Sequence, residues 1–223
     1  REAVVVARLK AEPSISFVVP VYNEADVIDR FFQHTLPLIS GQQEIIFVDG
    51  GSTDHTLEMI KRVVDADRNI SLICASRGRA RQMNEGAKRA CGKLLVFLHS
   101  DTLLPDNTNA LLAEMLVTEH KWGRFNVRLD NNRWPFRVIA WFINHRSRLS
   151  SIATGDQAIF VYKETFEEIG MFPQQALMED IELSTSLKKK SLPYCIREAV
   201  VTSSRKWEQG GIIKTIWLMW RLR

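Results

Sequence analysis

Four acidic positions and one cluster of arginines carry the chemistry open to this chain. Asp101 follows the apolar run Leu94-Leu95-Val96-Phe97-Leu98 and has a hydroxyl on each side, on Ser100 and Thr102. A carboxylate at the end of a buried strand suits a hard divalent cation that also holds a phosphate. Asp49 ends a second apolar run, Ile45-Ile46-Phe47-Val48, and leads into Gly50-Gly51-Ser52, a turn where backbone can come close to a ligand. Arg77, Arg79 and Arg81 lie where a third run gives way to a helix. Free N–H groups at a helix start favour anions alongside the guanidinium groups. Glu179 and Asp180 are adjacent carboxylates at another helix start. Cation and anion chemistry at strand ends points to a phosphate-bearing ligand.

The elements that must position these residues follow from hydrophobic periodicity. Strands are predicted over 15–20, closed by Pro20, and over 44–49, 70–74 and the run opening at Lys93. Between them fall three amphipathic helices. The first starts after Asn23, taken as its cap with Asp26 three residues on, buries Val27, Ile28, Phe31 and Phe32, and ends at Pro37. The second is capped by Ser52 or Thr53 and buries Leu57, Ile60 and Val64. The third carries Ala80, Met83, Ala87 and Ala90 in a stripe and stops at Gly92. Such alternation predicts an α/β domain with a mostly parallel, doubly wound sheet, helices on both faces and a ligand site beyond the strands' carboxyl ends.

The second half is less regular. A helix is predicted from Pro105 through Leu116, a strand over 124–129, a basic and aromatic helix over 134–149 and a strand over 158–162. A helix follows from Met178 with Leu183 and Leu187 inward, then a strand over 196–202. No linker interrupts the chain, so the reading is an extension over 1–14, one domain over 15–211 and a terminal amphipathic helix over 212–223.

Composition narrows the function classes. The chain has 223 residues, 45% of them hydrophobic and 25% charged, with a net charge of +4 and a pI near 9.1. A mildly basic balance fits an anionic ligand or membrane surface; no aromatic-plus-basic RNA motif occurs, so no nucleic-acid partner is expected. Cys74, Cys91 and Cys195 form no C-x-x-C pair and read as buried, reduced thiols. The charged start does not read as a secretory leader, and no apolar run reaches the ~20 residues of a membrane span. The expected location is cytoplasmic. The stretches 134–148 and 212–223 combine Trp, Phe and Ile with Arg and Lys. They read either as interfacial helices, for peripheral contact with the inner membrane face and a lipid-linked acceptor, or as helices packed on the domain.

Six motifs in order resemble the family 2 glycosyltransferases of GT-A fold, over about residues 15–207. They are Val19-Pro20-Val21-Tyr22-Asn23-Glu24, Val48-Asp49-Gly50-Gly51-Ser52-Thr53-Asp54, Gly78-Arg79-Ala80 with Asn84, His99-Ser100-Asp101, Gly155-Asp156-Gln157 and Glu179-Asp180. The His-Ser-Asp-Thr motif and the tail Ser204-Arg205-Lys206-Trp207 look like a subgroup of small, stand-alone bacterial enzymes. The resemblance implies a nucleotide-sugar donor, most directly a UDP-sugar. Its nucleotide would be held by Pro20, Tyr22, Glu24, Asp49, Arg79 and Ser100, with Asp101 on a Mn²⁺ or Mg²⁺ cation. It implies Asp180 as the general base of an inverting transfer with Glu179 as its rival, Asp156 and Gln157 at the acceptor or sugar, and Arg205 and Trp207 closing over the diphosphate. Asn84 reads as a structural brace. His99 stands where the family's metal motif has its first aspartate; imidazole binds Mn²⁺ acceptably and Mg²⁺ poorly, and a hydrogen-bonding role is its default.

The alternative from another class is a non-catalytic nucleotide-sugar-binding module, which His99 favours and the retained Asp101, Glu179 and Asp180 oppose. A dinucleotide oxidoreductase would need G-x-G-x-x-G after the first strand, where Pro-Val-Tyr-Asn-Glu stands.

Overall fold

Buried apolar runs form the strands, and the chain winds helices around them. The structure, a computed structural model, describes residues 14–39, 43–175 and 178–205. The extension over 1–13, Trp207 and the helix expected over 212–223 lie outside the described residues.

In order, the elements are β1 (Ile15–Val21), α1 (Ala25–His34), α2 (Leu36–Ile39), β2 (Glu44–Asp49), α3 (Thr56–Ala66), β3 (Ile70–Cys74), α4 (Arg79–Arg89) and β4 (Leu94–Phe97). Then come α5 (Thr108–Met115), β5 (Trp122–Leu129), α6 (Trp134–Ser150), a 3-10 turn (Gly155–Gln157), β6 (Phe160–Tyr162), α7 (Lys163–Glu168), α8 (Glu179–Leu187) and β7 (Tyr194–Thr202).

Among the described residues the strands make one sheet in the order β3-β2-β1-β4-β6-β5-β7. The ladders β2–β3, β1–β2 and β1–β4 are parallel. Strand β6 runs against both neighbours, and β7 pairs parallel with β5, so the sheet is mostly parallel as expected. Alternate residues of each central strand enter two cores. Phe17, Val19, Ile45 and Phe47 pack with α1, α3 and α5 through Ile28, Phe31, Ile60 and Leu112. Val18, Ile46, Val48 and Phe97 pack with α4, α7 and α8 through Met83, Ala87, Phe166 and Leu183. Burial on both faces explains why these strands read as unbroken apolar runs.

Several expectations need correction. Pro20 does not close β1; the strand continues to Val21, with Pro20 beside Val48. The Leu98 N–H donates to the Val18 carbonyl, so by alternation Pro20 faces the same side, beyond the last rung of β4. A missing N–H costs nothing there. Pro37 does not end a helix but sits inside the short α2. The cysteines are free but not buried: Cys74 and Cys91 are exposed and Cys195 is half-buried, because Cys74 ends an outer strand and Cys91 lies in the turn before β4.

Candidate active site

The first wall of the site is built by the loops after β1 and β2. Asn23 was expected to cap α1; it instead adopts φ 52° and its side-chain oxygen accepts the Thr53 N–H at 2.8 Å. The Ser52 hydroxyl returns the bond by accepting the Asn23 N–H at 3.0 Å. Neither Ser52 nor Thr53 caps α3. Asp54 does that work, accepting the Thr56 N–H at 3.0 Å, and it also takes the Ala25 N–H at the start of α1 at 3.2 Å. Asp49 is buried, and its carboxylate accepts the Gly51 N–H at 2.8 Å, the Ser52 N–H at 3.0 Å and the Ser52 hydroxyl. It thus fixes the shape of the di-glycine turn, in which Gly51 has φ 89°.

Beneath this wall sits a residue that the sequence reading did not single out. The buried amide of Gln82, on α4, donates to the Val21 carbonyl at 2.8 Å and the Val48 carbonyl at 2.7 Å. It clasps the ends of β1 and β2 beside the last rungs of their ladder. Gly86 lets α4 come this close, since a Cβ there would lie 2.4 Å from Val18 Cγ1.

The second wall holds the carboxylates. The turn after β4 carries His99, Ser100 and Asp101, closed by the Thr102 N–H donating to the His99 carbonyl at 3.1 Å. Thr35 pins it from α1's side, its hydroxyl donating to the Thr102 carbonyl at 3.2 Å, and Leu103 bridges to Val201 on the other. Ser100 is buried under the turn, and Asp101 is half-buried at its surface. His99 packs on Gly155 so closely that a Cβ at Gly155 would be 2.8 Å from its Nε2 and 3.8 Å from the Asp180 carboxylate. The Gly155 N–H donates to Asp180 at 2.7 Å, and the Ile181 N–H donates to the other carboxylate oxygen at 2.8 Å. The base candidate is therefore tied to the Gly155 turn, on whose other side His99 of the Asp101 turn packs.

Asp180 opens α8, whose first turn also holds Glu179 and Glu182, where the helix dipole favours anions. Burial pushes the Asp180 carboxyl above the ordinary aspartate value of 3.8. The two backbone donors offset part of this, and the charges of Glu179 and Asp156 push it further up.

Basic groups ring the mouth. Arg79 reaches across from α4 to the buried Glu179 at 3.5 Å. The Arg77 guanidinium lies 4.1 Å over the Tyr22 ring, and Arg205 meets Glu24 at 3.7 Å. These pairs tie the loop after β1 to arginines following β3 and β7, and α8 to the start of α4. Gln157, expected at the acceptor, is fully buried instead: its side chain accepts the Thr154 N–H at 3.2 Å and donates to the Phe125 carbonyl, bracing its own turn. Asp156 beside it stays half-exposed. Asn84 is the brace expected of it, exchanging both amide bonds with the Phe172 backbone at 2.9 and 3.0 Å. A cavity of about 560 Å³ opens at the opposite rim, lined by Lys93, Lys121, Tyr162 and Lys163, far from these carboxylates.

The sequence profile described as "Glycosyl transferase family 2" matches residues 16–170. The chain belongs to that family. This glycosyltransferase is 24% identical, over 87% of its length and 52% of the relative's, to the poly-beta-1,6-N-acetyl-D-glucosamine synthase of Staphylococcus aureus strain MSSA476. It is 30% identical to an uncharacterized glycosyltransferase of Haemophilus influenzae over 48% of this chain and 46% of the other. The chain spans about half the length of the curated relatives it matches. Among solved structures it resembles S. aureus TarS 1–349 in complex with UDP-GlcNAc, with TM-score 0.66 and 17% identity over 85% of this chain and 58% of that one. The mannosyltransferase PcManGT from Pyrobaculum calidifontis, in complex with GDP-Man and Mn²⁺, gives TM-score 0.65 and 22% identity over 86% and 57%. Both likenesses establish the GT-A fold.

A cation must be judged against the donor groups present in the glycosyltransferase. Among the described residues no group of three or more His, Cys, Asp or Glu could hold a metal ion. The donor set fits a cation shared with a ligand's phosphates, which needs only one or two protein carboxylates, and does not fit a cage made by protein alone.

Proposed function

We propose that this glycosyltransferase moves a sugar from a nucleoside diphosphate sugar, a UDP-sugar first, to an acceptor hydroxyl with inversion at the anomeric carbon. The observation that carries the reading is Asp180: a half-buried carboxylate with raised proton affinity, held by the N–H groups of Gly155 and Ile181, with Gly155 in turn packed against His99 of the turn that bears Asp101. The nucleotide lies over the loops of Pro20, Tyr22, Glu24 and Asp49, with Arg79 and Ser100 toward the diphosphate. Asp156 faces the acceptor side, and Arg205, paired with Glu24, closes over the diphosphate. TarS bound to UDP-GlcNAc and the mannosyltransferase bound to GDP-Man support a nucleotide-sugar donor.

In the reaction the acceptor oxygen attacks the anomeric carbon in line with the departing diphosphate. Asp180 takes the hydroxyl proton as the new C–O bond forms. The old C–O bond breaks with its electron pair going to the diphosphate, whose charge Arg79 stabilises. Asp101 and the diphosphate oxygens would hold a Mn²⁺ or Mg²⁺ ion, which supplies Lewis-acid stabilisation of the leaving group when bound. Glu179, buried and paired with Arg79, sets the charge beside the base.

The test uses UDP-GlcNAc and GDP-mannose with and without Mn²⁺, reading nucleotide release and thermal stabilisation. Asp180→Asn should lower turnover by about 10³-fold and leave the donor's thermal shift intact. Equal turnover by this variant rejects Asp180 as base. Donor binding without turnover by the wild type selects the non-catalytic binding module.

A further inference from the structure

The outward side of α6 leaves large apolar side chains in water. Trp134 is 73% exposed, Trp141 53%, Phe142 61% and Leu149 89%. With Val138 and His145 they recur at the spacing of one helix face, a stripe about 100° wide. The stripe is not a loosely held segment. Phe136, Ile139 and Ala140 on the opposite face are buried, and the Asn144 amide exchanges both its bonds with the Val127 backbone at 2.8 and 2.9 Å. The Trp141 ring stacks on His145 with centroids 3.9 Å apart, which fixes it on the outside.

Charge selects what covers this face. Residues 131–155 contain no Asp or Glu but four arginines: 133, 137, 146 and 148. Arg133, Arg137 and Arg148 are exposed and flank one side of the stripe. Residues 206–223 are themselves cationic, with four basic residues against Glu208, so like charge opposes this tail as the cover. The same repulsion opposes a second copy of the chain. An apolar stripe rimmed by arginines matches an interfacial helix on anionic lipid.

We propose that the α6 face docks on the surface of an anionic lipid bilayer, with Trp134, Trp141, Phe142 and Leu149 entering the headgroup region and Arg133, Arg137 and Arg148 meeting lipid phosphates. This surface stands apart from the transferase reading, and either can fail without the other.

The full chain is sedimented with phosphatidylcholine vesicles, with and without phosphatidylglycerol, while tryptophan emission is followed. Pelleting with the phosphatidylglycerol vesicles is expected, with a blue shift, and it weakens at high salt. Arg133→Gln, Arg137→Gln and Arg148→Gln together should lower partitioning about a hundredfold, at roughly fivefold for each arginine. Trp134→Ala with Trp141→Ala and Phe142→Ala should lower it at least about tenfold. The single exposed change Trp141→Glu, made with an unaltered melting temperature, should lower it as well. No pelleting of the wild type, pelleting indifferent to all three variants, or self-association that Trp141→Glu abolishes without vesicle binding each overturns the proposal.

Discussion

Asp180 shows how far one carboxylate's behaviour is set by its neighbours. Its carboxyl is raised by burial and by Glu179 and Asp156. A general base works only when ionised, so activity is present above the raised value and is lost as pH falls through it. The acid limb of kcat/KM should therefore lie above the ordinary aspartate value of 3.8. Glu179→Gln removes one like charge and should move that limb to lower pH; a pH–rate profile of the two proteins reads the shift. The sequence revealed this residue because adjacent carboxylates at a helix start stand out. It could not reveal that the Gly155 N–H reaches it or that His99 packs on Gly155, since those contacts join residues 25 and 56 positions apart. Asn23 and the Ser52-Thr53 pair were misassigned for a related reason. All are good local caps by type, but they bond each other some 30 residues apart, and those long-range bonds outcompeted local ones.

Among the elements, β1, β2 and β3 were legible nearly to the residue, because central strands buried on both faces must be apolar throughout. The short α2 and α7, of 4 and 6 residues, are too brief to show a period. The strand β6 was predicted longer than it is because Ala158 takes a left-handed conformation, φ 45°, and breaks the run. Gln82 escaped notice as an amide on a helix that reads as polar there. Its structural cost is testable. Gln82→Leu removes the side-chain donor of the Val48 carbonyl and one of the two donors of the Val21 carbonyl, which keeps the Gly50 N–H, and should destabilise the fold by about 1 kcal/mol. Urea unfolding measures this, and an unchanged midpoint would show that the clasp does not bind β1 to β2.

At the scale of the molecule, the sheet divides the work. Strands β1 to β4 carry the loops of Tyr22, Asp49, Arg79 and Asp101, while the Gly155 turn and α8 supply the contacts of Asp180 and Glu179. The Asn84–Phe172 exchange locks α4 to the segment leading toward α8. The parallel half was readable from alternation alone; in the other half the elements were placed, but the reversed pairing of β6 was not, because strand direction leaves no local signal. That reversal has a bearing on how such a scaffold is re-tooled. Since β6 runs backward, the connection entering it, rather than one leaving it, arrives at the catalytic rim. On the proposed function, exchanging residues 130–157 as a cassette between relatives should rewrite recipient choice, while the module that reads the donor keeps its wiring. A chimera so made should change the compound it glycosylates and retain the nucleotide it recognises.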